Sequence, residues 1–191
     1  MRSVSRSTEY DMRMGNAGQK GGDVSMEEGF TDEEEPLEVI VGRMLRERGR
    51  TIACAESCTG GLLTSRLTDV AGSSAYVMGS VVSYTNEVKA SLVGVREETL
   101  RAFGAVSEET AREMAEGVRR ASPADIGVGV TGIAGPGGAT AKKPVGLVCI
   151  AVAAENATCV ERHVFSGVRT EVKRQSAEAA LRMVRDMLLR E

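Results

Sequence analysis

The chain has 191 residues, 42% hydrophobic and 27% charged, which is enough for one well-buried domain with a tail. Its net charge of -3 is uneven, because residues 1–36 carry 4 basic and 9 acidic side chains and the remainder is close to neutral. With no Trp, three Phe, three Tyr and no clustered Lys and Arg, the chain lacks the footprint of a nucleic-acid binder, and its longest apolar run, residues 145–154, falls far short of the roughly 20 residues that cross a bilayer.

Residues 1–35 mix Ser, Gly, Gln, Arg and Met with the run Asp32-Glu33-Glu34-Glu35 and show no sustained apolar periodicity, which predicts a disordered acidic extension and leaves 36–191 as the folded domain. Pro36 opens a predicted helix over 36–48, with Leu37, Ile40, Val41, Met44 and Leu45 on one face and Gly49 as its stop. A short apolar strand over 51–55 then hands over, through Glu56-Ser57-Cys58-Thr59-Gly60-Gly61, to a helix carrying Leu62, Leu63, Leu67 and Val70. Residues 76–84 read as a second strand, and Asn86 is placed to cap the short helix that carries Lys89. Residues 95–103 form another short helix, and Ser107 caps a clearer one with Glu108 and Glu109 in its first turn. A central strand over 124–131 leads into a glycine-rich loop, 132–144, too long for a simple connector. Strands at 145–153 and 157–165 form an antiparallel hairpin, and 170–190 is a long amphipathic helix. Helices alternating with strands, followed by a hairpin, predict a three-layer α/β/α fold around a mixed β-sheet in a single domain.

Four cysteines, Cys54, Cys58, Cys149 and Cys159, form no CxxC pair, and the chain has one His, so no metal site is expected. Reduced thiols fit a cytoplasmic protein. Gly127, Gly129 and Gly132 satisfy G-x-G-x-x-G, but they fall inside a predicted strand instead of opening a helix, so the dinucleotide reading is rejected.

Ser57 stands at the carboxyl end of a strand, where ligands bind open α/β sheets. On its own it reads as a helix cap. A hydrolytic serine needs a base, and His163 lies far along in the late hairpin, which leaves a Ser-Lys arrangement. Lys89 and Tyr84, at the next strand-to-helix junction, can reach the same crevice, and Ser57 with Lys89 is expected at hydrogen-bonding distance at the mouth of one pocket. Cys58 is the rival nucleophile, its pKa expected to fall near a helix N-terminus. Glu56 reads by default as a capping or structural carboxylate, with orienting Lys89 or a substrate hydroxyl as its functional role.

Taken together, A-E-S-C-T-G-G at 55–61, V-A-G-S-S at 70–74, S-Y-T-N-E-V-K at 83–89, G-V-R-E-E-T-L at 94–100, G-A-V-S-E-E-T-A at 104–111, T-G-I-A-G-P-G-G at 131–138 and K-P-V-G at 143–146 resemble the CinA C-terminal domain family, the nicotinamide-nucleotide amidohydrolases. The resemblance implies hydrolysis of the carboxamide of nicotinamide mononucleotide to nicotinic acid mononucleotide and ammonia, with no metal or cofactor and in a dimer or higher homo-oligomer. It implies Ser57 as nucleophile and Lys89 and Tyr84 as basic and proton-transferring partners. Glu56, Thr59, Gly60, Gly61, Thr131, Gly132, Gly135 and Arg169 would contact the substrate. The loop departs from the family pattern, since Ala139, Ala141 and Lys142 stand where a glycine, a proline and an acidic residue are expected. The longer CinA proteins carry an additional N-terminal domain that 36 low-complexity residues do not supply, so a stand-alone form or a fragment is expected. A nucleotide- or protein-binding module of the same fold and an amidase for another small amide are the alternative readings.

Overall fold

The structure, a computed structural model, describes residues 35–190. The disorder expected for residues 1–35 therefore lies, except for Glu35, outside the described residues. Helix α1 (Leu37–Glu47) buries Leu37, Ile40, Val41, Met44 and Leu45. Strand β1 (Ile52–Glu56) leads into α2 (Leu62–Asp69), and a single 3-10 turn at Ser73–Ala75 precedes β2 (Val77–Val82). Helices α3 (Asn86–Val93), α4 (Glu97–Phe103) and α5 (Glu108–Ala121) follow, then β3 (Ile126–Gly132), β4 (Leu147–Ala153), β5 (Thr158–Val164) and α6 (Arg169–Leu188).

The sheet runs β2-β1-β3-β4-β5, with β1 parallel to both β2 and β3 and β4 antiparallel to both β3 and β5. This is the expected mixed sheet between two helical layers. On one face α1, α2 and α6 bring Val41, Leu45, Leu63, Leu67, Leu181 and Leu188 onto Ile52, Cys54, Val128, Val130 and Ile150. On the other, Met114 and Val118 of α5 and Val93 of α3 meet Ala53 and Ala55, while Ala111 and Ala115 meet Cys149, Ala151 and Ala153. Strands β1 and β4 are buried throughout, and β3 everywhere except Gly132, because helices cover both sides. The large side chains crowd the α1/α6 face, where each fully buried Leu or Ile contributes roughly 1.5–3 kcal/mol. The α5 face is built of Ala and Gly instead, which lets that helix approach the backbone of the sheet.

Gly127 and Gly129 explain that approach. A Cβ on Gly127 would lie 2.1 Å from the Ala115 carbonyl oxygen, and one on Gly129 would lie 2.3 Å from that of Ala111. The G-x-G-x-x-G string is therefore a seat for α5, lying inside β3 as expected from its position.

Three local expectations change. Thr85, not Asn86, caps α3, its hydroxyl accepting the Val88 N–H at 3.3 Å, and Asn86 is the first helical residue. The strand expected over 76–84 stops at Val82: the Ser83 N–H still donates to the Glu56 carbonyl of β1 at 2.8 Å, but the Tyr84 N–H turns back to the Val82 carbonyl at 3.1 Å. Helix α4 starts at Glu97 because Glu113 takes the Arg96 N–H at 2.9 Å and holds Arg96 extended. Ser107 caps α5 as expected, accepting from the Thr110 N–H at 3.1 Å.

Candidate active site

The turn that carries Ser57 is built at the end of β1. Ser57 is the first residue beyond the strand, tied to β3 by its N–H donating to the Val130 carbonyl at 2.9 Å. Gly60 and Gly61 have φ of +63° and +96°, a left-handed pair that other residues adopt only with strain, and they reverse the chain into α2. Beneath the turn lies Glu56, fully buried. Its Oε2 accepts from the N–H groups of Gly61 (2.9 Å) and Leu63 (3.1 Å), and its Oε1 from the Thr64 N–H (2.9 Å) and hydroxyl (2.7 Å). A carboxylate at a helix N-terminus satisfies otherwise orphaned amides and opposes the helix dipole. Glu56 is thus the cap of α2 and the clamp that fixes Ser57. Its oxygens bond to the first turn of α2, and Lys89 bonds to Ser57 and Ser83 instead.

Helix α3 delivers Lys89 to this turn. Its Nζ lies 3.0 Å from Ser57 Oγ and donates to the Ser83 carbonyl at 2.6 Å. Lys89 is 1% exposed and Ser57 8%. Burial pushes the Lys89 ammonium below the ordinary lysine pKa, against a weaker opposing effect of Cys58. A buried lysine that loses its proton more readily, in contact with a hydroxyl, is the arrangement that general-base activation of a serine requires.

Ser57 and Lys89 do not line the hollow beside α2. A cavity of about 760 Å³ between α2 and α6 is lined by Glu38, Leu62, Arg66 and Gln175 among others, beside the turn but not over it. The near-complete burial of Ser57 and Lys89 closes the crevice expected above them.

Cys58, the rival nucleophile, is 6% exposed, and its thiol is pushed up to about 12. Burial is the leading cause; the Cys58 amide pulls the other way, followed by the Glu56 charge, which raises it further, and by smaller lowering effects of Lys89 and the Thr59 amide. The lowering expected from a helix N-terminus is overcome. Iodoacetamide at pH 8 should accordingly label exposed Cys159 first and leave Cys58 unmodified until the protein unfolds. Rapid Cys58 alkylation in folded protein, read by peptide mass mapping, would contradict this geometry.

The other expected residues divide. Tyr84 is 59% exposed, and its hydroxyl accepts from the Arg169 guanidinium at 2.9 Å. Among the described residues it forms no hydrogen bond to Ser57 or Lys89. Arg169 also donates to the Gly135 carbonyl at 2.9 Å, so the β2–α3 junction, the glycine loop and the start of α6 are joined by one side chain. Thr131 is 1% exposed and donates its hydroxyl to the Ala105 carbonyl at 2.6 Å, anchoring the segment before α5. Gly132 ends β3, half-buried, at the entry to the loop. Thr59 is fully buried, with a hydroxyl that has no partner among the described residues.

Two participants had no sequence signal strong enough to name them. The Ser83 carbonyl holds Lys89 Nζ, a backbone role that any residue type could supply. Lys173 of α6 reaches the turn at Gly60, where a Cβ would lie 3.6 Å from its Nζ. The available hint was its spacing of four from Arg169, which puts both on one helix face.

Comparison with known proteins agrees with this architecture. Residues 34–188 match the CinA C-terminal domain. A CinA-like protein from Syntrophobacter fumaroxidans is 51% identical over 148 residues, which make up 78% of this chain and 35% of the relative. One from Chloroherpeton thalassium is 51% identical over 157 residues, 80% of this chain and 37% of the relative. The chain thus spans little more than a third of the length of these curated relatives. Among solved structures, the competence/damage inducible protein CihA of Agrobacterium tumefaciens is 44% identical with a TM-score of 0.77, covering 80% of this chain and 93% of that one. A CinA superfamily protein of Klebsiella pneumoniae is 34% identical with a TM-score of 0.79, covering 81% and 97%. Among the described residues no helix is long and apolar enough to cross a membrane. A chain matched over 155 consecutive positions, with the same fold as structures it covers almost end to end, belongs to the CinA C-terminal domain family.

Proposed function

We propose that the protein is an amidohydrolase that attacks a small carboxamide with Ser57, and that this amide is the one on the nicotinamide ring of nicotinamide mononucleotide. The observation that carries the reading is the buried contact of 3.0 Å between Lys89 Nζ and Ser57 Oγ. The substrate comes from the motif resemblance.

In the resting contact Nζ donates to Oγ. When Lys89 is neutral the polarity reverses, and Oγ–H donates to the lone pair on Nζ. Oγ attacks the carboxamide carbon as its proton passes to Lys89, giving a tetrahedral oxyanion. Gly60 N–H is bonded to the Ser57 carbonyl and Gly61 N–H to Glu56, so the Cys58 and Thr59 amides are the donors of this turn left to receive that oxygen. Each such donor is worth about 3 kcal/mol of transition-state stabilisation. Lys89 returns the proton to the leaving nitrogen, ammonia departs, and water cleaves the Ser57 ester to release nicotinic acid mononucleotide. Arg169, held by Tyr84 and Gly135, stands at the rim to meet the nucleotide.

The test is ammonia release from nicotinamide mononucleotide by the wild-type chain, with a panel of small carboxamides alongside. Release from the nucleotide supports the reading. Release only from other amides replaces the substrate, and a folded protein that binds the nucleotide without cleaving it replaces catalysis by binding.

A further inference from the structure

Ser83 is fully buried, and its hydroxyl has no hydrogen-bond partner among the described residues. Buried polar side chains are paired as a rule, and an orphaned hydroxyl destabilises the fold that holds it. This one lies beside the dyad. The Ser83 N–H donates to the Glu56 carbonyl at 2.8 Å, which fixes the residue next to the start of the Ser57 turn, and its carbonyl accepts from Lys89 Nζ at 2.6 Å. That carbonyl oxygen and Oγ belong to the same residue, so rotation about the Cα–Cβ bond alone swings the hydroxyl towards Nζ. An ammonium has three N–H donors, and Lys89 places one on Ser57 Oγ and one on the Ser83 carbonyl. Among the described residues no carboxylate pairs with Lys89, since Glu56 is engaged with α2, and the neighbouring Cys58 thiol stays protonated.

We propose that Ser83 is a positioning residue for Lys89, its hydroxyl turning to accept an N–H of the ammonium that forms when Ser57 attacks the carboxamide. This rests on the amidohydrolase reading. As the bond between Oγ and the carboxamide carbon forms, the Oγ proton passes to Nζ, and Oγ, then bonded to two carbons, becomes a weaker acceptor. The new ammonium is short of a partner at that moment, and the Ser83 hydroxyl supplies one. The contact steadies Lys89 until it gives its proton to the leaving nitrogen and the C–N bond breaks. Because the hydroxyl is unpaired in the resting protein, its stabilisation is reserved for the charged intermediate, which is where a favourable interaction accelerates the reaction.

The experiment measures kcat and KM on nicotinamide mononucleotide, and the chemical-denaturation midpoint, for wild type and Ser83→Ala. Loss of a hydrogen bond to a charged group is expected to lower kcat roughly 10- to 100-fold with KM little changed, while the denaturation midpoint stays the same or rises. An unchanged kcat overturns the assignment, and so does a fall in kcat accompanied by a fall in stability, which marks the hydroxyl as structural. A second measurement, independent of turnover, titrates the Lys89 ammonium by NMR in Ser57→Ala and in Ser57→Ala/Ser83→Ala, where the Oγ partner is removed. The midpoint is expected about one to two pH units lower in the double variant, and equal midpoints remove the Ser83 contact. If the wild type releases no ammonia, the amidohydrolase reading fails, and this titration alone decides on Ser83.

Discussion

Ser57→Ala is expected to lower ammonia release from nicotinamide mononucleotide by roughly a thousandfold or more, because in the proposed mechanism the hydroxyl forms the covalent bond and no neighbour replaces it. Cys58→Ala should retain most of the activity, since its buried thiol, pushed up to about 12, stays protonated and its backbone N–H survives the substitution. The reverse pattern would move the nucleophile to Cys58. Lys89→Met should fall about as far as Ser57→Ala, and the double variant little further, because groups that act as one unit do not add. The wild-type rate should rise with pH to a plateau, with a midpoint below the ordinary lysine value of about 10.4, as Lys89 becomes neutral. A flat profile across that range would remove Lys89 as the base.

The same lowered pKa has a consequence for stability with a definite sign. Between the folded-state pKa of Lys89 and the unfolded value of about 10.4, the unfolded chain holds a proton that the folded chain has released. Stability therefore rises with pH across that window, and the penalty of burying the ammonium is fully present below it. Lys89→Met lacks this contribution. The wild type should gain denaturation midpoint relative to Lys89→Met as pH is raised towards about 10, and a constant difference would show that Lys89 is charged equally easily in both states.

Much of this site was legible because it lies at two consecutive strand-to-helix junctions, where the backbone itself aims residues such as Ser57 and Lys89 at a common edge. The fold followed from periodicity: β1, β3 and β4 are almost continuously apolar since helices cover both faces, and α5 shows its buried stripe from Ala111 to Val118. The bond between Arg169 and Tyr84 was hidden, because 85 residues separate them and each is compatible with solvent on its own. Glu56 reads by default as a cap, but the sequence does not say which amides it holds. Only the left-handed Gly60–Gly61 turn brings the first amides of α2 back over its oxygens. The bond from the Thr131 hydroxyl to the Ala105 carbonyl was hidden for a similar reason, since 26 residues separate the two.

The glycines of β3 carry the second large expected effect, and it falls on folding. In Gly129→Ala the added Cβ would stand 2.3 Å from the Ala111 carbonyl oxygen and 2.7 Å from the Ala115 N, both backbone atoms in the middle of α5. No rotamer change relieves such a contact, so α5 must lift away from β3 and from Ala53 and Ala55, or the strand must bend. Overpacking against movable side chains costs about 1–3 kcal/mol, and a clash with helix backbone should reach the upper end or exceed it. Chemical denaturation of Gly129→Ala is therefore expected to show a stability loss of about 3 kcal/mol or more, measured by the midpoint shift at an unchanged slope. Gly137→Ala, where a Cβ meets nothing within 4 Å, is the matched control and should change stability by less than about 0.5 kcal/mol. A dinucleotide-binding role for G-x-G-x-x-G would predict the opposite emphasis, with lost ligand affinity in a protein of ordinary stability. A stable Gly129→Ala protein would overturn the packing account of these glycines, and with it the reason α5 lies so close to the strand that leads into the glycine loop.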